Sequence, residues 1–341
     1  MDLWSLYALM KKSRLFEKAV TQLWNEGLIS GEMHLGTGEE AIIAGVVSQL
    51  EPGDAMAVDH RGSAAFLMRG VDPVSLLLEM LGRDNGLCGG QGGHMHLFSK
   101  EHLAASSGIV GAGGPISVGF GLASEYLRPG SVSVAFFGEG AMNQGMLMES
   151  INLASIWKLP VIFVCKDDGW AITTQTKAIS DGDMGAGVRW LGANYIEVDG
   201  LDVGQVWRAA RRGIERARRG EGPSFLHARC VHLEGHFLGF QLLRLTRNPL
   251  WEMPGMVIPL IRSFLRSGGG TLGERLAGMK IVFSASLATM RDPRMKYAND
   301  PLVRTRTILE SIDLARLTDL ENRVQEEISA MLAAALNEVR A

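Results

Sequence analysis

The feature that most constrains the fold of this chain is an alternation of short apolar runs with helical stretches. Two β-rich apolar runs, residues 131–137 (SVSVAFF) and 160–165 (PVIFVC), flank a helical stretch over residues 142–157. Strand, helix and strand in this order form a βαβ unit whose two strands lie parallel. Residues 195–198 and 224–231 are predicted to be further strands, with a second helix between them. We therefore predict a doubly wound α/β fold with a mostly parallel sheet.

The two ends of the chain differ in pattern. A helix is predicted to end near Gly27, and a second helix over residues 39–50 follows the turn Gly36-Thr37-Gly38. Beyond Phe240 the pattern is irregular, with a flexible point at Gly268-Gly269-Gly270, until residues 311–339 are predicted to form a long closing helix. We find no internal repeat and predict that residues 1–341 form a single domain.

Charge balance and cysteine usage exclude several classes of protein. Lys and Arg number 34 against 37 Asp and Glu, so no overall field draws the chain to nucleic acid or to an anionic membrane. No stretch is long and apolar enough to span a bilayer. Cys88, Cys165 and Cys230 are far apart and odd in number, which argues against disulfides and against a zinc site. We expect a protein of the reducing cytoplasm.

Acidic residues directly follow two of the predicted strands. Glu139 stands between Gly138 and Gly140, and Asp167-Asp168 follows the next run. Ligands of open parallel sheets bind beyond the carboxyl ends of the strands, and adjacent strands lie about 5 to 10 Å apart, so these carboxylates can converge on one ion. Glycine lets phosphate approach the backbone, so the pattern predicts a magnesium diphosphate site. The alternative is that Glu139 caps a helix and the aspartates form a surface turn.

Longer stretches of the sequence resemble one enzyme family. The run FFGEGAMNQGMLMESINLASIWKLPVIFVCKDDGWAITT resembles the thiamine diphosphate motif in the alpha chains of pyruvate, branched-chain 2-oxo acid and acetoin dehydrogenases. The stretches GEMHLGTGEEAIIAG, HRGSAAFLMRG, GGQGGHMH and SSGIVGAGGPISVGFGLA are similar to further parts of that family, in the same order. The resemblance implies the diphosphate-binding half of the thiamine diphosphate-binding fold, with thiamine diphosphate and Mg²⁺ as cofactors.

The resemblance also implies roles for individual residues. Glu139 and Asp168 stand at the positions of two magnesium ligands, and the carbonyl of Trp170 at that of a main-chain ligand. Arg61 matches the arginine that pairs with the diphosphate, and His236 matches the histidine near the reacting carbon, which makes it the candidate catalytic residue. The full set of cofactor-binding candidates is His60, Arg61, Gly108, Val110, Gly138, Glu139, Gly140, Ala141, Asp168, His232 and His236.

Four positions depart from the family pattern near the charged end of the cofactor. Glu139 replaces an aspartate, Asp168 replaces a neutral asparagine, Ser63 replaces a histidine and His232 replaces an arginine. Positive charge is thereby lost and negative charge gained beside the diphosphate. We expect these changes to weaken, remodel or abolish cofactor binding.

The resemblance covers only one half of a complete active site. In this family the glutamate that activates the aminopyrimidine ring belongs to a beta chain, so the resemblance implies such a partner, in an assembly of two alpha and two beta chains. A lipoyl acyltransferase is a further candidate partner, and the expected substrate is a 2-oxo acid. The nearest equivalents of a family Asp-Pro and Tyr-Arg are Asp292-Pro293 and Lys296-Tyr297, so residues 241–290 are predicted to be an insertion in the loop that covers the active site.

Three functions are compatible with these patterns. The first is a dehydrogenase alpha chain that acts with a beta chain to decarboxylate a 2-oxo acid and pass on the acyl group. The second is a thiamine-dependent carboligase or acyl donor of a specialised pathway. The third is a cofactor-free homologue with a structural or regulatory role.

Overall fold

The computed structural model describes residues 2–172, 174–238, 271, 273–274, 276–278, 280 and 299–340. Its main sheet contains seven strands: β1 (Ala55–Val58), β2 (Phe98–Ser99), β3 (Ala104–Ser106), β4 (Ser133–Gly138), β5 (Val161–Asp167), β8 (Asn194–Asp199) and β9 (Ser224–Arg229). Their order in the sheet is β2-β3-β1-β4-β5-β9-β8, and every neighbouring pair is parallel except β2 and β3. The predicted mostly parallel α/β sheet is confirmed.

Helices pack on both faces of this sheet. They are α1 (Leu3–Asn25), α2 (Glu40–Val47), α3 (Ser63–Arg69), α4 (Pro73–Met80), α5 (Gly113–Leu127), α6 (Gly145–Ile156), α7 (Thr176–Ile179), α8 (Met184–Trp190), α9 (Val203–Arg218), α10 (Pro301–Ile312) and α11 (Leu314–Arg340). A short hairpin of β6 (Trp170–Ala171) and β7 (Thr174–Gln175) lies outside the main sheet. Among the described residues, no helix is both long and apolar enough to cross a membrane.

The central strands read as continuous apolar runs because they are buried on both sides. In β4, Val134 and Phe136 belong to the core that also contains α1, α2 and α9, whereas Ala135 and Phe137 belong to the core beneath α6 and α8. Successive side chains of a strand point to opposite faces, so each β4 residue has its own apolar environment. This double burial explains why neither run shows the polar alternation of a half-exposed strand.

Helix boundaries differ from the prediction at two places. The helix expected from Met142 begins at Gly145, because residues Glu139–Asn143 first form a 3₁₀ helix. The closing helix expected over residues 311–339 begins at Leu314, and Ser311 belongs to the preceding helix, α10, which was not predicted. Asp313 separates the two with an extended backbone, and its carboxylate caps α11 by accepting the N–H of Arg316 at 3.0 Å.

The predicted insertion over residues 241–290, with its glycine triplet, lies almost wholly outside the described residues. The chain that follows it returns to the core. Asp300 accepts two hydrogen bonds from the guanidinium of Arg14, at 2.8 and 3.0 Å, and the same guanidinium bonds the carboxylate of Glu40. This buried group joins α1, α2 and the start of α10.

Candidate functional site

A cavity of about 360 Å³ lies beyond the carboxyl ends of β1, β4 and β5. The register of β4 and β5 pairs Gly138 with Lys166, so the residues that follow the two strands emerge side by side. All sequence-predicted site residues line this cavity: His60, Arg61, Gly108, Val110, Gly138, Glu139, Gly140, Ala141, Asp168, Trp170, His232 and His236. The fold therefore brings together segments that are far apart in the sequence.

Glu139 is a buried carboxylic acid directly after β4. Its carboxylate accepts a hydrogen bond from the hydroxyl of Thr176 at 3.2 Å. Burial, followed by the nearby carboxylates of Asp168 and Asp167, raises the pKa of Glu139 to about 8. A buried carboxyl group whose pKa is raised by neighbouring carboxylates marks a favourable site for a cation.

The two aspartates after β5 face in different directions. Asp167 is paired with Nε2 of His227 at 2.7 Å, away from the cavity, and also accepts the N–H of Gly169. Asp168 lines the cavity with 11% of its side chain exposed, and its Oδ1 accepts the N–H of Trp170 at 3.2 Å. Asp168 is therefore part of a buried site and not of a surface turn.

His232 bridges two carboxylates. Its Nε2 lies 2.6 Å from Glu39, and its Nδ1 lies 2.9 Å from Asp168. Ionised carboxylates only accept hydrogen bonds, so both ring nitrogens must carry a proton and the ring is an imidazolium. Burial and Arg61 oppose this charge, but the bonds to Asp168 and Glu39 outweigh them and raise the pKa of His232 to about 9. The expectation that positive charge is lost at position 232 is therefore wrong.

A fully buried lysine supports this arrangement and was missed in the sequence. Nζ of Lys166, in β5, lies 2.6 Å from Glu39 and 3.0 Å from Asp59. Lys166 and His232 thus share Glu39, which stands at the start of α2. The available signals were a lysine inside an apolar run and the pair Glu39-Glu40 after a glycine turn, neither of which reveals a partner 127 residues away.

Arg61 links the cavity floor to the segment that carries His236. Its guanidinium donates to the carbonyls of Leu35 and His236, the latter at 2.7 Å, and its Nη2 also lies 3.3 Å from Nδ1 of His236. Its Nε lies 3.9 Å from Glu39. Arg61 is buried, so its charge acts in a medium of low dielectric constant, where it is stronger than at the surface.

Three histidine rings pack together in the cavity wall. The ring of His34 lies 4.6 Å from that of His60 and 4.9 Å from that of His236, measured between centroids, and both contacts are edge to face. Burial lowers the pKa of His34 and of His60 to about 3 and that of His236 to about 4. The charge of Arg61 lowers all three pKa values further, and Asp59 partly opposes the shift at His60. The three rings are uncharged at neutral pH. The sequence analysis found His60 and His236 but not His34.

Close packing explains two of the glycines. A Cβ added to Gly140 would lie 3.0 Å from Cβ of Ala171, and one added to Gly108 would lie 3.2 Å from Sδ of Met95. A side chain at either position would push against the cavity wall. Gly138 has no such contact closer than 3.8 Å, so its role is not steric.

The glycine-rich segment before His94 is folded around one buried carboxylate. Glu79, in α4, accepts the N–H groups of Cys88 (2.6 Å), Gly90 (2.9 Å), Gly92 (2.6 Å) and Gly93 (3.2 Å). These N–H groups are partly buried and all bind the same carboxylate, so Glu79 holds the loop in its course. The loop delivers Met95 to the cavity and His94 to the ring of His34.

Comparisons with known proteins agree with the site. Residues 8–239 match the family described as Dehydrogenase E1 component. The alpha subunit of acetoin:2,6-dichlorophenolindophenol oxidoreductase from Cupriavidus necator is 40% identical over 240 residues, which are 69% of this chain and 71% of the relative. The subunit of that name from Bacillus subtilis is 38% identical, over 70% of this chain and 72% of the relative. The pyruvate dehydrogenase E1 component subunit alpha of Zymomonas mobilis is 37% identical, over 69% of this chain and 67% of the relative.

Proposed function

This chain belongs to the dehydrogenase E1 component family, and we propose that its cavity holds Mg²⁺ and the diphosphate of thiamine diphosphate. It is an alpha-type chain of the thiamine diphosphate-dependent 2-oxo acid dehydrogenases, and so an oxidoreductase component. The observation that carries the proposal is the convergence of Glu139 and Asp168 in a cavity that also contains two cationic side chains, Arg61 and His232.

The donor set fits a magnesium ion. Mg²⁺ prefers oxygen ligands, usually one or two carboxylates completed by phosphate oxygens and water. Glu139 and Asp168 supply the carboxylates, and Trp170, whose carbonyl is the proposed main-chain ligand, lines the same cavity. The raised pKa of Glu139 arises from burial beside other carboxylates, and a divalent cation removes that repulsion. Glutamate in place of aspartate is therefore compatible with a metal ligand at this position.

The remaining residues fit the cofactor's other parts. Arg61 and the imidazolium of His232 balance the negative charge of a diphosphate, and the backbone around Gly138, Gly140 and Ala141 allows its close approach. His60, Gly108 and Val110 line the same cavity and are the proposed contacts of the rest of the cofactor. Thiamine diphosphate, when bound, supplies the carbon nucleophile that adds to a carbonyl. His236 binds the carbonyl region of the substrate and excludes water from it.

A beta chain completes this site in our proposal, in an assembly of two alpha and two beta chains, and a lipoyl acyltransferase accepts the acyl group. The relatives are named as alpha subunits, which supports the presence of a second kind of chain in the assembly. We also propose that residues 1–341 act as a single domain that carries an insertion at residues 241–290. We also propose a location in the reducing cytoplasm, which is consistent with Cys88, Cys165 and Cys230 forming no disulfide with one another.

A second candidate reaction is the oxidative cleavage of acetoin. Two relatives, at 40% and 38% identity, are named for that substrate, whereas the relative at 37% is named for pyruvate. A substrate screen of the assembled complex decides between them. Turnover of acetoin with a dye acceptor but not of pyruvate supports the second candidate, and the reverse supports the first.

The cofactor proposal is tested by calorimetric titration of thiamine diphosphate and Mg²⁺ into the chain co-expressed with its beta chain. We expect saturable, magnesium-dependent binding that Glu139→Ala abolishes and that Glu125→Ala, an exposed position on α5, leaves unchanged. Unchanged binding in Glu139→Ala shows that Glu139 is not a metal ligand. Absence of binding in the intact wild-type complex supports a cofactor-free homologue instead.

A further inference from the structure

The hydrogen bonds of His94 determine where His34 carries its proton. Nε2 of His94 accepts a hydrogen bond from the backbone N–H of His34 at 3.2 Å. A backbone N–H can only donate, so Nε2 of His94 has no proton and offers its lone pair. Nδ1 of His34 lies 3.0 Å from the same Nε2. Two nitrogen lone pairs would repel at that distance, so Nδ1 of His34 must carry the hydrogen.

A proton on Nδ1 leaves Nε2 of a neutral imidazole as a hydrogen-bond acceptor. His34 is neutral because burial, assisted by Arg61, lowers its pKa to about 3. Within the part of the chain that the structure describes, Nε2 of His34 makes no hydrogen bond with protein, and the residue lines the cavity. An acceptor is therefore presented to whatever the cavity binds.

Arg61 imposes the opposite tautomer on His236. A guanidinium has only donors, and Nη2 of Arg61 lies 3.3 Å from Nδ1 of His236, so Nδ1 is the acceptor of that contact. His236 is also neutral, since burial and Arg61 lower its pKa to about 4. Its proton is consequently on Nε2, and His236 is a donor.

We propose that His94 is a positioning residue that fixes His34 as the proton acceptor of the cavity, opposite His236 as its hydrogen-bond donor. The two rings are perpendicular, with centroids 4.9 Å apart, close enough to contact neighbouring atoms of one small substrate. His236 polarises an oxygen that accepts, and Nε2 of His34 receives the proton of a group that donates. The inference rests on the proposed function only in taking this cavity as the substrate site.

The carboxylate of Glu79 holds the backbone segment that carries His94. It accepts the N–H groups of Gly92 and Gly93, immediately before His94, at 2.6 and 3.2 Å. The backbone that precedes His94 is thereby held in place, and the His94 ring, itself buried, stacks against that of His34 with centroids 5.3 Å apart. His34 is also buried, so the contact between the two rings is largely shielded from bulk water.

The tautomers are measured by long-range ¹H–¹⁵N spectra of the full chain labelled with ¹⁵N-histidine, with His34 assigned by its loss in His34→Gln. We expect the Nδ1-protonated form of His34 in the wild type and in His94→Gln, whose amide oxygen keeps an acceptor in place. His94→Leu has no acceptor, so His34 loses its fixed tautomer. His102→Gln is the matched control, because His102 bonds Ser99 at 2.8 Å outside the cavity.

Kinetics of the complex with the beta chain give an independent readout. We expect kcat to fall about 10-fold or more in His94→Leu, to recover in His94→Gln, and the affinity for thiamine diphosphate with Mg²⁺ to stay unchanged. A wild-type His34 protonated at Nε2, or a His34 spectrum unaltered in His94→Leu, would overturn the proposal. The spectra need no cofactor, so a complex that binds no thiamine diphosphate refutes the proposed function and leaves this test intact.

Discussion

Nδ1 of His232 lies 2.9 Å from Oδ2 of Asp168, and the pair joins a buried cation to a candidate magnesium ligand. The other nitrogen of the same ring binds Glu39, which also contacts Lys166. Asp168 therefore does not add an uncompensated negative charge to the site. Its charge is balanced from within the chain, and Glu139 is the carboxyl group left to gain most from a metal ion.

The pair of His232 and Asp168 should show strong energetic coupling. His232→Gln leaves Asp168 buried without its imidazolium partner, whereas Glu39 keeps its ion pair with Lys166, and the loss of one partner of a buried ion pair costs about 3–5 kcal/mol of unfolding free energy. Adding Asp168→Asn removes the stranded charge, so the double variant should be more stable than the sum of the single effects by about 1–3 kcal/mol. Urea unfolding of the four chains measures this cycle, and additive effects would contradict it.

Metal binding should release a proton from Glu139. With a pKa of about 8, Glu139 is mostly protonated at pH 7 before metal binds, and a metal ligand must be deprotonated. Affinity for Mg²⁺ with thiamine diphosphate should rise about tenfold per pH unit up to about pH 8 and then level off. Calorimetry in buffers of different ionisation enthalpy counts the proton. Glu139→Gln should abolish the release, whereas Glu149→Gln, an exposed position on α6, should retain it.

Loss of the Glu79 carboxylate should destabilise the loop that carries His94. Both carboxylate oxygens of Glu79 accept N–H groups in the structure. Glu79→Gln replaces one of these oxygens by an NH₂ group, which cannot accept a hydrogen bond from the backbone donors that it faces. Hydrogen bonds to a charged group contribute about 1.5–3 kcal/mol each, so we expect a loss of about 3 kcal/mol in unfolding free energy. Glu101→Gln, at an exposed position, is the control. A change of less than about 1 kcal/mol at Glu79 would refute this role.

Stability in mild acid should depend on the buried histidines. The pKa of His60 is lowered to about 3, chiefly by burial, and its Nε2 has no hydrogen-bond partner among the residues that the structure describes. Between about pH 6.5 and that value the unfolded chain binds a proton that the folded chain does not, so stability falls as the pH falls, by about 1.4 kcal/mol per pH unit. His60→Phe removes this contribution. Unfolding measured from pH 6 to 4.5 should show a shallower slope in the variant than in the wild type, and equal slopes would contradict the neutral state of His60.

The strands of the sheet were predictable because their signal is local. Residues 131–137 and 160–165 predicted β4 and β5 to within two residues at each end, since each strand must supply apolar side chains to two cores. The boundaries of the closing helix were less predictable. Asp313 interrupts the predicted helix. A single aspartate within a long helical pattern is not a sufficient signal to predict such a break.

The sequence by itself determined the class of fold, the positions of Glu139 and Asp168 after neighbouring strands, and the family motifs that single out Arg61 and His236. Only the tertiary structure decided that His232 is a cation, that Lys166 is buried against Glu39, and that His94 sets the tautomer of His34. The physical reason is the difference between separation along the chain and distance in space. Periodicity and turn chemistry act between near neighbours along the chain, whereas protonation depends on which charges and lone pairs lie within about 3 Å in space.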